Sequence, residues 1–390
     1  MFDKIILPMK SFVKESFKNK IFWIWLFFYS ALTYSFFNLF LAIRPRPIYG
    51  SALIGKIFGG LALFDASNYI TIAKYGYPNY QIGLEAFFPI FPLLLRSVSF
   101  PLRFLINYPF DIIVAGSFIN ILCFALALNF LKKLARLDST VKAANFSMII
   151  LILFPFSFFF LSLYTESLFL LLILASFYFA RQGKWMVACI FACLVGAVRL
   201  PGLLIAPALL IEFLYQKNWS FKKSMPNLLW LLIAPLGTFF YFIYLQLYKG
   251  GYNVYFRAYN ASWPNRKFSP LFFWTFLEPV YNAIFKHNAI RPNDIIGLAM
   301  IMFAIFSIFC LIKYKARPSY IAFSLLSFVL PLLSGSLDSV GRYYMVVFPV
   351  IIYLGIYFEK HIKLFYFYIV SSAAVSSYLM MLFIRGVFVG

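Results

Sequence analysis

Residues 112–131 read IIVAGSFINILCFALALNFL and run straight into Lys132, Lys133 and Arg136. No Asp, Glu, Lys or Arg interrupts the stretch. A helix of about 20 apolar residues matches the hydrocarbon thickness of a bilayer. The residues are continuously apolar rather than alternating, which excludes a β-barrel strand and requires a helix that bonds its own backbone. The basic cluster at its end marks the cytoplasmic side.

The rest of the chain repeats this reading. Of its 390 residues 63% are hydrophobic, 22% aromatic and only 12% charged. A soluble domain carries roughly 25% charged residues. Further spans are expected at 21–43, 143–162, 166–181, 186–199, 202–216, 226–247, 294–312, 318–336, 344–358 and 365–385. The fold class is therefore all-α integral membrane, a single domain over 1–390 with about eleven transmembrane helices. The segments 186–199 and 202–216 are short and flank Pro201-Gly202, so they form either two spans or one broken, re-entrant pair.

Charge sets the orientation. Lys4, Lys10, Lys14, Lys18 and Lys20 precede the first span, with no small-residue cleavage site, so that span reads as uncleaved. With the N-terminus inside, the clusters Lys132–Lys142, Arg181/Lys184, Lys217/Lys222/Lys223, Lys313/Lys315/Arg317 and Lys360/Lys363 all fall inside. A net charge of +22 would suggest nucleic acid in a soluble protein. Here the cations sit between apolar spans, so nucleic acid is excluded and anionic lipid headgroups are the counter-ions. Two long segments, 44–111 and 248–293, fall outside. Loops of that length usually carry function. In the first, Leu53, Ile57, Leu61, Phe64, Tyr69, Ile72 and Ala73 recur at helical spacing, which predicts helices lying along the membrane surface.

Few residues in so apolar a chain can move a proton. Asp65 stands in the first outside segment, with apolar neighbours and Tyr69 one turn on. A carboxylate against apolar surface suits a general base; the same position also suits a helix N-cap. Glu85 precedes Phe87-Phe88-Pro89-Ile90-Phe91-Pro92, a rigid aromatic run suited to the membrane interface. Tyr164-Thr165-Glu166-Ser167 forms an outside turn, with Glu166 at a helix start where the dipole favours an anion. Arg199, between apolar runs, either pairs with an anion (a lipid phosphate, Glu166 or Asp65) or snorkels to the outer headgroups. Arg342 can hold a phosphate with two parallel bonds, with Asp338 as a partner. Trp263 and Arg266 join an aromatic face to a cation, which suits either a sugar or interface anchoring.

The four cysteines lie in apolar stretches as small hydrophobes, and His287 and His361 lack ligand spacing, so no metal is expected. No Walker loop or G-x-G-x-x-G is present. All the candidates come out on one side. A coupled transporter would instead place ionisable groups near the midplane. A flippase or transporter for lipid-linked saccharides is the second reading, and a non-catalytic assembly subunit the third.

At these residues the chain resembles the PIG-V-like mannosyltransferases, within the GT-C class of membrane glycosyltransferases. The first stretch runs from Phe64-Asp65 through Asn68-Tyr69-Ile70, Ile72-Ala73, Gly76-Tyr77 and Ala86-Phe87-Phe88-Pro89-Ile90-Phe91-Pro92-Leu93. The second is Tyr164-Thr165-Glu166-Ser167-Leu168-Phe169, continuing to Arg199-Leu200-Pro201-Gly202. The third is Ser339-Val340-Gly341-Arg342-Tyr343 with Phe348-Pro349. The family pair is commonly Trp-Asp; here it is Phe64-Asp65.

The resemblance implies a GT-C-like polytopic bundle that transfers mannose, or a related hexose, from a polyprenyl-phosphate sugar to a glycan, lipid or protein acceptor. Asp65 corresponds to the family's catalytic acid in the first outside loop. Tyr69, Glu85, Tyr164, Glu166, Arg199 and Arg342 are expected substrate contacts; Trp263 and Arg266 join them on their residue chemistry alone, since 248–293 carries none of the matching stretches. No cofactor is expected, because the leaving group carries its own phosphate. The compartment follows the host: a bacterial inner membrane, or the endoplasmic reticulum in a eukaryote, with the active site on the external face.

Overall fold

A computed structural model describes residues 3–43, 58–78, 82–219, 228–264, 266, 268–287 and 289–389. Leu53, Ile57 and Asn265 lie outside the described residues. Among the described residues the chain is helical throughout, with no strand. Every apolar segment expected as a span carries helix. Five helical stretches are long and apolar enough to cross a membrane: Lys20–Leu39, Phe110–Ala135, Leu229–Tyr248, Pro292–Lys313 and Ile362–Ile384. The longest, at 26 residues, is ~39 Å long at 1.5 Å per residue, more than the hydrocarbon core requires.

Shorter apolar helices, among them Ile90–Leu102, Val141–Ile152, Trp185–Gly196 and Pro318–Leu332, complete the set. Prolines interrupt the α-helix in two of the expected spans. The 143–162 segment leaves its helix at Ile152, just before Pro155, and resumes as a 3-10 turn at Ser157–Phe160. The 226–247 segment is a 3-10 turn, Leu229–Ile233, then the helix Leu236–Tyr248, with Pro235 as its N-cap. A proline has no N–H to give the preceding turn, so it sits where one helix stops and the next starts.

The chain forms two compact units. The first comprises Met1–Lys74, Phe91–Tyr178 and Leu354–Phe388. Its centre is the Phe110–Ala135 helix, most of whose residues are buried. The Trp25 ring lies 4.3 Å from that of Phe124, which stacks on Phe160 at 4.4 Å. Polar ties join distant helices here. The Tyr29 and Ser376 hydroxyls share a bond of 2.6 Å, and the Tyr368 hydroxyl donates to the Ile150 carbonyl at 2.9 Å. In an apolar solvent such bonds have no water to compete with them.

The second unit comprises Tyr75–Ile90, Phe179–Tyr353 and Val389–Gly390. The Trp185–Gly196 and Leu236–Tyr248 helices touch backbone to backbone there, because a Cβ at Gly237 would stand 1.8 Å from the Cys193 carbonyl oxygen. An aromatic core of Phe88, Tyr241, Leu245 and Tyr255 lies beside them.

Candidate functional site

The candidate residues divide between the units: Asp65, Tyr69, Tyr164 and Glu166 belong to the first, and Glu85, Arg199, Trp263, Arg266, Asp338 and Arg342 to the second.

In the first unit, two separate segments meet to build the turn that carries Asp65. The Leu163 N–H donates to the Leu61 carbonyl at 2.9 Å, and the Tyr164 hydroxyl donates to the Leu63 carbonyl at 3.0 Å. Close packing makes this meeting possible. A Cβ at Gly116 would lie 1.8 Å from Leu163 Cδ1 and 2.9 Å from Leu95 Cδ2. The Asn120 amide, fully buried, donates to the Ser162 carbonyl and, at 3.2 Å, to that of Tyr164.

Phe64 then turns the chain with φ 55°, a left-handed conformation uncommon outside glycine. Its ring lies 5.3 Å from those of both Phe383 and Phe388, so aromatic packing supports the strained residue. Asp65 is half-buried and directly precedes the Ala66–Tyr75 helix. Its carbonyl accepts from the Asn68 and Tyr69 N–H groups at 3.1 and 3.3 Å, so its backbone occupies the helix-starting position that the sequence suggests. Tyr69 is buried edge-on against Phe91 at 5.2 Å. Glu166, 1% exposed, opens the Glu166–Arg181 helix, where unsatisfied N–H groups favour a negative charge.

The second unit gathers three arginines. Arg266 is 7% exposed; its Nη2 donates to Ser339 Oγ at 2.9 Å and to the Asp338 carbonyl at 3.3 Å, and its guanidinium lies 5.5 Å over Trp263. Arg342 is 4% exposed, with its guanidinium 5.9 Å from the Tyr343 ring. Arg199, half-buried, lies 4.7 Å over that same ring. Burial pushes the Tyr343 phenol up, but the charges of Arg199, Arg342 and Arg266 outweigh it and hold the group below its ordinary value. Next to it, burial pushes the Tyr259 phenol up, and Tyr343 adds to the rise. Three guanidiniums around one phenol make a strongly electropositive spot. An anion with several oxygens, such as a phosphate, satisfies such a set.

Sequence reasoning offered Asp338 as a partner for Arg342. The Asp338 carboxylate instead accepts from Asn293 at 3.1 Å and from Ser336 at 2.8 Å, and its backbone carbonyl receives Arg266.

Trp263 sits between Phe87 at 5.6 Å and Tyr259 at 5.0 Å, which joins the Phe-Phe-Pro run to the second long loop. Glu85 is 6% exposed, and Lys249 Nζ lies 3.9 Å from its Oε1. The Tyr241 hydroxyl donates to the Glu85 carbonyl at 2.8 Å, while Lys249 also donates to the Tyr77 carbonyl.

Sequence reasoning quoted Tyr343 only as part of a stretch, with no role, and missed Lys249 and Glu212. Glu212 is fully buried and meets Arg317 at 2.8 Å, Ser319 at 2.5 Å and Arg181 at 3.8 Å. An acid inside an apolar helix was the available signal. Its partners stood in clusters that the orientation rule had already explained. Among the described residues, no group of three or more His, Cys, Asp or Glu side chains is placed to hold a metal.

Helices of membrane-spanning length mark the chain as a membrane protein, and its candidate residues fall into an acid-bearing turn in one unit and an arginine cluster in the other. The sequence pattern of the Mannosyltransferase (PIG-V) family matches residues 21–325, and the chain belongs to that family. Neither a curated protein nor a solved structure matches the chain significantly. The family makes the chain a membrane glycosyltransferase, one that takes a sugar donor and a glycan acceptor.

Proposed function

We propose that the chain is an inverting mannosyltransferase of the GT-C class that takes its sugar from a polyprenyl-phosphate donor at the non-cytoplasmic face. About eleven spans, with the N-terminus inside, carry the site. Asp65 takes the proton of an acceptor hydroxyl. The hydroxyl oxygen attacks the anomeric carbon, the carbon–oxygen bond to the phosphate breaks, and the phosphate leaves with the electron pair. A single displacement inverts the centre and needs one carboxylate, whereas a retaining enzyme needs two close together.

Arg199, Arg266 and Arg342 hold the phosphate and stabilise its charge as it develops. Trp263, stacked beside Arg266, offers a face to the sugar. Tyr164 holds the turn that carries Asp65, Tyr69 supports the helix that follows it, Glu166 opens the helix after Tyr164, and Glu85 braces the aromatic-proline run. The observation that carries the reading is the convergence of three arginines on Tyr343 in a member of a mannosyltransferase family.

The test uses the full-length protein in detergent with radiolabelled polyprenyl-phosphate mannose and lipid and glycan extracts of the host membrane as acceptors. Label should move to an acceptor, and the new bond should show the opposite anomeric configuration by NMR. Transfer from a nucleotide sugar alone would overturn the donor assignment. Retention of configuration would overturn the single displacement. Movement of lipid-linked sugar across vesicles, with no transfer in detergent, would make the chain a flippase.

A further inference from the structure

We propose that Tyr343 is a fourth ligand of the anion: its hydroxyl occupies the arginine cluster when the site is empty and donates to a phosphate oxygen when the site is filled. The inference rests on the phosphate reading of that cluster and adds a residue to it.

Three observations support it. First, Tyr343 is the element the arginines share. Arg199 lies 4.7 Å and Arg342 5.9 Å from its ring, and Arg266 comes within electrostatic range from the second long loop. These cations come from three separate parts of the second unit, so the convergence is tertiary and not an accident of neighbouring sequence. Second, Arg266 is fixed by Ser339 and by the Asp338 carbonyl, both within five residues of Tyr343. Ser339 holds a left-handed backbone, φ 70°, directly before the short Val340–Tyr344 helix, which sets the direction in which Arg342 and Tyr343 leave the chain. Third, the charges of Arg199, Arg342 and Arg266 outweigh the effect of burial and hold the phenol below its ordinary value, with the Arg199 guanidinium 4.7 Å from the ring.

Cations held together in a half-buried place repel one another. An oxygen among them relieves that repulsion. The Tyr343 oxygen supplies it without a full negative charge. A phosphate then takes over the charge of the cations, while the phenol turns its O–H toward an oxygen of the newcomer. The ring meanwhile keeps Arg199 stacked in position.

The experiment measures binding of farnesyl phosphate, and of farnesol as the uncharged control, to the full-length protein in nanodiscs. The variants are Tyr343→Phe, Tyr343→Leu and Arg199→Ala. Tyr343→Phe keeps the ring under Arg199 and should weaken farnesyl phosphate about tenfold, the size of one hydrogen bond to a charged group. Farnesol binding should not change. Tyr343→Leu, which also releases Arg199, should weaken the phosphate further. A merely structural tyrosine would lower both ligands together, and that result would overturn the proposal. If Tyr343→Phe binds as the wild type does while Arg199→Ala loses the phosphate, Tyr343 is no ligand and the phosphate reading survives. If neither variant loses the phosphate, the arginine cluster is not a phosphate site and both readings fall.

Discussion

Removing one oxygen from Tyr164 tests whether the turn around Asp65 is built for chemistry. The Tyr164 hydroxyl, on a residue 1% exposed, donates at 3.0 Å to the carbonyl of Leu63, two residues before Asp65. Tyr164→Phe keeps the ring, which packs at 5.1 Å on Phe159 and at 6.2 Å on Phe383. The substitution leaves the Leu63 carbonyl without that donor among buried neighbours. An unsatisfied buried acceptor costs about 1–3 kcal/mol. The lower half of that range applies, because the Leu163 N–H still holds Leu61 at 2.9 Å and keeps the two segments joined. Stability should therefore fall by about 1–2 kcal/mol, read as a drop in thermal midpoint in detergent.

The catalytic effect should exceed what the stability loss implies. A displacement of about 1 Å in a reacting group costs on the order of a hundredfold in rate. We expect kcat for transfer from polyprenyl-phosphate mannose to fall about 10–100-fold, with KM for the donor unchanged, since the arginines belong to the other unit. The assay is initial-rate transfer at varied donor concentration, with protein quantified after size-exclusion chromatography. A Tyr164→Phe enzyme with wild-type kcat, or one altered only in KM, would refute the idea that this bond positions the acid.

Asp65→Asn keeps the shape of the side chain but removes the proton acceptor; transfer should fall about 10²–10⁴-fold while farnesyl phosphate binding persists. Phe64→Gly relieves a left-handed backbone that costs about 1–2 kcal/mol, but it forfeits the contacts with Phe383 and Phe388. Losing a fully buried phenylalanine side chain costs about 3–5 kcal/mol, and half-buried Phe64 forfeits about half of that, so the net effect should be a slightly lower thermal midpoint, and a midpoint above wild type would show that the strain outweighs the packing. Glu212→Ala removes the acid between Arg317 and Arg181 and should destabilise the protein by about 3–5 kcal/mol, the cost of leaving buried charge uncompensated. Replacing Glu212 together with both arginines by apolar residues should recover much of that loss in the same unfolding assay, because the whole network then leaves the interior.

Apolar runs declared most of the helices in advance, because a backbone in hydrocarbon has no other way to satisfy its groups. Helix ends were less legible. The 143–162 and 226–247 segments each read as one span, yet Pro155 and Pro235 divide them into helix and 3-10 turn. The second long loop offered no pattern beforehand, although it holds the Asn253–Ser262 and Trp274–Phe285 helices. Candidate side chains were visible because charge is scarce. Their partners were not, because pairing is tertiary. Arg199 meets Tyr343 across 144 residues, and Lys249 meets Glu85 across 164. Arg181 and Arg317 read as orientation signals and also neutralise Glu212. A rule that explains a residue once gives no reason to look for its second task.

The case for Asp65 over its rivals rests on access. In the proposed orientation seven acids fall on the outer side: Asp65, Glu85, Asp111, Glu166, Glu278, Asp294 and Asp338. Glu85, Asp111, Glu166 and Asp294 are each at most 6% exposed, less open to an acceptor hydroxyl than half-buried Asp65. Glu85 and Asp294 in addition face Lys249 and Arg291. Both Asp338 oxygens already accept hydrogen bonds. Glu278 is exposed, on a helix that carries no other candidate residue. Asp65 combines partial exposure with a backbone fixed on both sides, by Tyr164 through Leu63 and by the helix its own carbonyl starts. A base must be reachable by its substrate and held still while the proton moves. Burial supplies the second condition and usually removes the first. A strained turn at the head of a helix satisfies both, which gives a physical reason for the left-handed Phe64 to stand beside the acid.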